Sequence, residues 1–440
     1  MISNLKKSLS NINYKLFFAL LILGFCPTVY STLRVFFLGQ LPGDYAFSLA
    51  GQLSWVNLIY EVLNEAIILP LYYFVKKESD DKKAFSDRVY TGMVYTFLIY
   101  TALSGLILLF ADELVYFMAV DKSILWQSAM YIRIESVANI FGILAQFALV
   151  VLVSVNRSRY IYILTGAKLV MSVLLDTFFV STLPVSLNLG VNGIGYSNII
   201  VNFVIFVIAL ILLHAKGDLV YGKGRYKFAK IGDYYKVGGI SGLESLVRNA
   251  AYMLMIVRMM NVVGEQGTYW VANNFIWGWL LLPVLQLGEL IKKETAEDVK
   301  NVKRNTPGYL FITFVISISW FVSIPIWKPF MANVLQFSDV DKLFELVLIL
   351  IGFYVLFAFQ NIFDATFYGL GKTNYMLFES VVTNTVFYGT AFILYLRGVW
   401  TPTLTGIALL FGLGMAFDSV VSFAAYVYLL KKQNRLLEKE

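Results

Sequence analysis

The sequence predicts an all-α polytopic membrane protein with twelve transmembrane helices, on three observations. Of its 440 residues, 59% are hydrophobic and only 14% charged, where a soluble globular protein carries about 25% charged residues. Apolar runs recur along the whole length, and at about 20 residues per span the chain has room for about twelve with short connections. Those connections alternate between strongly basic and poor in Lys and Arg, as in a chain that crosses a bilayer back and forth.

The first span, 14–38, follows Lys6 and Lys7 and precedes a turn at Pro42, Gly43 and Asp44. The run lacks a small-residue cleavage site and continues into Arg34, so it reads as a retained span rather than a signal peptide. The second span, 46–75, runs into Lys76, Lys77, Lys82, Lys83 and Arg88. The third, 88–110, and fourth, 126–154, enclose a loop with Lys122 alone, and Arg157 and Arg159 lead into the fifth, 159–183. The sixth, 191–214, ends at His214, and the connector beyond carries Lys216, Lys223, Arg225, Lys227, Lys230 and Lys236. The seventh, 238–262, and eighth, 268–291, meet at Val263, Gly264 and Glu265; Lys292, Lys293, Lys300, Lys303 and Arg304 follow. The ninth, 308–327, and tenth, 343–369, flank Lys328 and Lys342, and the tenth ends in the turn Gly369, Leu370, Gly371, Lys372. The eleventh, 374–397, ends at Arg397, and the twelfth, 403–430, ends at Lys431, Lys432, Arg435 and Lys439. Basic loops mark the cytoplasmic side, so both termini and every even-numbered loop are expected there, in a plasma membrane. The charge runs 76–88 and 294–306 read as solvated segments needing no partner.

The long connector divides the chain into an N-terminal six-helix lobe, 1–214, a cytoplasmic linker, 215–237, and a C-terminal six-helix lobe, 238–440. An internal repeat supports the division. Ser154 to Tyr160 after the fourth span parallels Gly369 to Tyr375 after the tenth, and the Pro42–Asp44 turn parallels Val263–Glu265. Six spans per half give both halves one orientation. The expected architecture is therefore two pseudo-symmetric six-helix bundles around a central cleft, with a site between them.

Charged residues inside apolar spans are costly and mark candidate sites. In the tenth span Gln360, Asp364 and Tyr368 share one helix face. In the second span Glu61 and Glu65 lie one turn apart, with Asn57 and Asn64 beside them. They read either as a proton or cation site or as acids paired with a buried base such as Lys168. In the fifth span Asp176 shares a layer with Arg34, Arg133 and Glu135, whose charges cancel; a packing network and a coupling site are equally open readings. Glu244 and Arg248 are one turn apart in the seventh span and read first as an ion pair, with Met255 and Met259 along the same face. Tyr269, Asn273 and Trp277 line one face of the eighth span and could wall a bulky ligand. Trp279 and Trp320 read as interface anchors or packing, Asp418 as a helix-contact residue, and Glu289 and Glu379 as acids that snorkel to the cytoplasmic side.

The net charge of +7 is explained by topology rather than nucleic acid, which is not an expected partner. One cysteine, Cys26, excludes a disulfide framework and a cysteine metal site. One histidine, at a helix end, and the lack of a phosphate-binding loop or nucleophile triad argue against an enzyme; a membrane-embedded transferase would need a catalytic base or acidic pair on a cytoplasmic loop, and none is visible. No cofactor or resident metal is expected, and any energy source is an ion or proton gradient.

Several stretches together resemble the multidrug and toxic compound extrusion (MATE) family of the MOP flippase superfamily. They are Phe37–Gly39 followed by Ala46–Ala50, Leu174–Thr177, Leu189–Gly195 and Phe363–Thr373, in matching order across nearly the whole chain. The resemblance implies two six-helix bundles and export of amphipathic, often cationic, small molecules driven by inward Na⁺ or H⁺. Asp176 is similar to the family's fifth-span acid, Asp364 to the tenth-span acid of its bacterial multidrug branch, and Glu244 stands in the span where that branch has a glutamate. Two positions depart. Arg34 stands where many members have a first-span aspartate, and Ser172 where many have an asparagine. A guanidinium beside Asp176 would occupy the place of a bound cation.

The implied partners are a small-molecule substrate and the lipid bilayer, with the chain a monomer. Within the same superfamily a flippase for an anionic lipid-linked saccharide is the alternative, supported by the intramembrane bases Arg34, Arg133, Lys168, Arg248 and Arg258, which could clamp a diphosphate.

Overall fold

A computed structural model describes residues 2–42, 45–68, 82–220 and 232–437. Gly43 and Asp44, the end of the second span with its loop to residue 81, the connector segment 221–231 and Lys439 lie outside the described residues. Every element among the described residues is helical. This is what a bilayer demands: with no water to bond to, each segment satisfies its backbone internally.

A short helix α1 (Ile2–Asn11) precedes α2 (Tyr14–Gly39). The second span is built of α3 (Ala46–Gly51), α4 (Leu53–Leu63) and a π-helical turn Asn64–Ile68. Then come α5 (Lys82–Leu109), α6 (Ala111–Phe117), α7 (Leu125–Ser154), α8 (Ser158–Phe179) and α9 (Asn192–Ala215). The seventh span is α10 (Gly232–Tyr252), a π turn Met253–Val257 and α11 (Arg258–Val262). The eighth is α12 (Gln266–Phe275), a π turn Ile276–Leu280 and α13 (Leu282–Glu297). α14 (Asn301–Asn333) and α15 (Val340–Gly369) are the ninth and tenth. The eleventh is α16 (Thr373–Val382), a π turn Thr383–Tyr388 and α17 (Gly389–Leu396), and the twelfth is α18 (Leu404–Leu437).

Helix thus occupies the described part of all twelve expected spans, and the chain is a multi-pass membrane protein. Among the described residues nine helices are long and apolar enough to cross a bilayer, or ten if α12 with its π turn and α13 count as one span. That pair is bent by 55°. Pro283, in the first turn of α13, cannot donate a backbone hydrogen bond, and the π turn ends just before it. The single straight helix expected over 268–291 is corrected accordingly.

Two compact units emerge. One joins Met1–Val35 to Ala250–Glu440, and the other is Phe36–Asn249. In the first, α13, α14, α15 and α18 share a core of Leu287, Leu290, Tyr309, Ile362, Phe367 and Tyr426, each under a tenth exposed. α1 docks on the same unit. The Ser8 hydroxyl donates to the Asn305 carbonyl (3.0 Å) and accepts the Gly308 amide (2.8 Å). The Asn13 amide donates to Glu294 (2.8 Å), which also accepts the Asn305 amide (2.8 Å) and the Tyr309 hydroxyl. The run 294–306 is therefore not merely solvated: Glu294, Thr295, Asn301 and Asn305 are buried. Its hydrophilicity serves contacts with a helix almost three hundred residues earlier, which local pattern does not register.

α15 closes against α13 at Gly369, where a Cβ would lie 2.6 Å from the Lys292 carbonyl oxygen. Gly369→Ala is expected to destabilise the protein by about 1–3 kcal/mol, because backbone cannot yield as a side chain can. Gly352→Ala, on the same helix with nothing within 4 Å of the new atom, is the control and should leave stability unchanged or raise it. Thermal unfolding of the two purified variants checks this; equal midpoints would refute the tight crossing.

Candidate functional site

The sequence candidates gather into two polar clusters, one in each unit. The first is built on α4, the π turn after it, and α10. Glu61 and Glu65 project from the second span, and Glu244 and Arg248 from the seventh. α10 comes close because Gly242 has no side chain: a Cβ there would sit 2.7 Å from that of Ala66.

The Arg248 guanidinium then engages all three acids. One terminal nitrogen donates to Glu61 (3.0 Å) and Glu65 (3.2 Å), the other to both oxygens of Glu244 (3.1 and 3.3 Å). Its Nε donates to the Asn249 side chain (3.4 Å), whose amide donates to the Leu58 carbonyl (3.2 Å). Three carboxylates against one guanidinium leave a formal excess of two negative charges. Glu244 is 6% exposed, whereas the side chains of Glu61 and Arg248 are 42% and 37% exposed. The base that pairs with the second-span acids is the partly exposed Arg248, and it serves both them and its helical neighbour Glu244.

The second cluster lies in the first unit, on α15, α16 and α18. Gln360 and Asp364 share a face, as their spacing requires. The Gln360 amide donates to Asp364 (3.2 Å) and to Asp418 (2.6 Å), and its oxygen accepts the Ser419 hydroxyl (2.8 Å). Ser422 donates to Asp364 (2.7 Å) and Thr383 to Asp418 (2.6 Å). The Glu379 carboxyl lies within hydrogen-bonding reach of Asp364 and also faces Asp418. Among the described residues none of these three acids forms a salt bridge with a base. Tyr368, the third residue of the predicted face, instead lies beneath the Lys292 ammonium at 4.9 Å.

Two members of this cluster were read otherwise from sequence. Glu379 does not snorkel; it is 4% exposed and turned inward. Asp418 is a helix-contact residue, but its contacts are the Thr383 hydroxyl and the Gln360 amide, and that amide also holds Asp364. The helical spacing of Glu379 with Thr383, and of Asp418 with Ser422, was the available signal.

Asn273 and Trp277 belong to an aromatic group in the first unit. The Asn273 amide donates to the Tyr252 hydroxyl (3.3 Å), which bonds that of Tyr269 (2.9 Å). Trp277 donates to the Tyr354 hydroxyl (3.1 Å), and the Phe411 ring meets Tyr252, Tyr269 and Tyr354 edge-on. Tyr269 and Tyr354 are packed inside, as are Met255 and Met259, while Trp277 is 41% exposed. The expected ligand wall is thus packed at Tyr269 and exposed at Trp277. Trp320 donates to the Leu280 carbonyl (2.9 Å) and is buried; Trp279 donates to Thr32 (2.9 Å). Both are held by hydrogen bonds to neighbouring helices.

Asp176 is 1% exposed on α8 in the second unit. Arg34, in the first unit, stacks on the Tyr30 ring at 4.8 Å and bonds its hydroxyl. Of the four-charge layer, Arg133 pairs with Asp112 (2.7 Å), and Glu135 accepts the Asn198 amide (2.8 Å). Asp112 sits on α6, a helix that local pattern left as loop. Four spans carry a π turn, and these hold Glu65, Met255, Trp277 and Thr383. Such insertions are frequent at functional sites and leave no periodicity to read.

No protein-family model matches the chain, and no curated protein matches it in sequence. Solved structures match it in fold. An inward-facing multidrug resistance MATE family transporter of the MOP superfamily superposes with a TM-score of 0.75 at 17% identity, over 93% of this chain and 95% of that one. An outward-facing structure of such a transporter gives 0.67 at 17% identity, over 97% and 98%. A MOP superfamily transporter from Pyrococcus furiosus, described by the reverse polarity of its binding pocket, gives 0.65 at 18% identity, over 96% of each chain. The chain therefore has the fold of the MATE transporters of the MOP superfamily.

Proposed function

We propose that the protein is a secondary active transporter that exports amphipathic, cationic small molecules by alternating access, driven by inward movement of H⁺, with Na⁺ the other candidate ion. The observation that carries this reading is the cluster of Asp364, Asp418 and Glu379, three intramembrane carboxyls with no base in salt-bridge contact among the described residues. Like charges that close, out of bulk water, call for a proton or a cation to neutralise them. A site that binds a cation in one conformation better than in another converts a gradient into a conformational bias. The excess negative charge around Arg248 offers a second place where an organic cation is favoured.

The flippase alternative needs bases free to clamp a diphosphate. Arg248 is taken up by three glutamates and Arg133 by Asp112, which weighs for the exporter. In this reading the protein acts as a monomer in a plasma membrane, with the basic loops in the cytoplasm.

Purified protein in sealed vesicles, loaded with ethidium and given a pH gradient or a Na⁺ gradient separately, tests the proposal. Ethidium movement is expected to follow the pH gradient and to stop when it is collapsed. Ethidium that ignores both gradients would remove the exporter reading.

A further inference from the structure

Asp364 is one of three acids, and the other two have no assigned task. Glu379 is the informative one. It is 4% exposed, it faces Asp364 and Asp418, and its Oε1 has no hydrogen-bond partner among the described residues. A buried carboxylate oxygen without a donor is costly, whereas a protonated carboxyl can donate to its neighbour. Among the described residues the polar side chains of this cluster have other partners, the Ser422 hydroxyl, which is also in reach of Glu379, included. The Ser422 hydroxyl goes to Asp364 and the Thr383 hydroxyl to Asp418. The two N–H groups of Gln360 go to Asp364 and Asp418. A proton shared among the carboxyls satisfies Glu379 without disturbing those bonds.

We propose that Glu379 is a second proton-carrying residue of this site, sharing a proton with Asp364, so that Asp364, Asp418 and Glu379 take up and release protons as one unit. The inference rests on the transport reading only for its purpose, not for its geometry. As a proton passes, the O–H bond on Asp364 breaks while one on Glu379 forms, and the charge of the pair is unchanged. Gln360 spans the distance to Asp418 and orients both aspartates by donating to each. The titratable groups facing the unit are these three acids and Tyr388, whose hydroxyl faces Asp418. Neither α12, α13 nor α14, which also pack on α15, sends a base to it among the described residues.

The shared proton gives coupling a property that a lone aspartate lacks. A carboxyl pair that divides one proton titrates in two steps belonging to the pair, not to either residue. The number of protons carried, and the pH over which they are carried, then depend on Glu379 although the tenth-span acid is intact.

The test uses the full-length purified protein and two readouts. Infrared spectra of wild type in H₂O and D₂O, without any dye, report protonated carboxyls in the folded protein. A protonated-carboxyl band is expected at neutral pH, reduced in Glu379→Gln and kept in Glu379→Asp. Ethidium efflux across a range of pH is the second readout. Glu379→Gln is expected to move its pH midpoint by about one unit, toward lower pH because the new amide donates to Asp364, and Glu379→Asp to restore it.

A wild-type spectrum with no protonated-carboxyl band, or a Glu379→Gln protein with unchanged band and unchanged pH profile, overturns the inference. Should Glu379→Gln not fold, the wild-type spectrum still decides. Failure of ethidium to follow a pH gradient would sink the transport reading and leave the infrared result to judge the shared proton.

Discussion

Asp364→Asn is expected to abolish gradient-driven ethidium movement while the protein remains folded. The carboxyl accepts from Ser422 at 2.7 Å and from Gln360 at 3.2 Å. Asparagine keeps one acceptor oxygen and nearly the same volume, so one contact survives directly. The other is lost, because turning the Gln360 amide to meet it would break the bond of that amide to Asp418 and the bond it accepts from Ser419. Against a loss of about 1 kcal/mol for one hydrogen bond stands the removal of a like charge beside Asp418 and Glu379. Unfolding midpoints of variant and wild type should accordingly lie close together. In the proposed mechanism the proton, however, loses the residue that joins the other two acids, and the rate should drop by about a hundredfold or more, as when an essential proton-transfer group is removed. Vesicle assays alongside thermal unfolding separate the two effects. Wild-type movement by this variant across an imposed pH gradient would take Asp364 out of the mechanism.

Arg248→Ala should produce the largest loss of stability in the second unit. It deletes five hydrogen bonds and leaves Glu61, Glu65 and Glu244 facing one another. Removing one partner of a fully buried ion pair costs about 3–5 kcal/mol. Here the Arg248 side chain is 37% exposed and Glu61 42%, so water screens part of the repulsion and the expected cost is about 2 kcal/mol. Arg248→Lys should recover only part of it, since an ammonium has no planar fork to reach acids on two spans. Glu61→Gln, with the arginine kept, should cost less than either. Unfolding midpoints of the three variants give the order. An Arg248→Ala protein as stable as wild type would mean that the three acids are neutralised by something other than this guanidinium.

The two sites differ in how far local pattern reached them. Glu244 and Arg248 are a turn apart on one helix, so their pairing is visible in spacing alone. So is the common face of Gln360 and Asp364. The partners that complete each site come from far along the chain: Arg248 meets Glu61 across 187 residues, and Gln360 meets Asp418 across 58. Glu379 and the run 294–306 were misread for the same reason. A polar residue near a helix end looks solvated until another helix is known to cover it.

The sequence by itself determined that this is a twelve-span helical membrane protein. Each span must bury its own backbone polarity in hydrocarbon, so its length and apolarity are local properties. It also marked which acids are out of place in those spans. Only the tertiary structure decided who answers them: one guanidinium for three glutamates in one unit, and in the other a set of carboxyls with no base in contact among the described residues. That choice depends on which helix faces pack together and how closely a glycine such as Gly242 lets them approach, and neither is a property of any single stretch of chain.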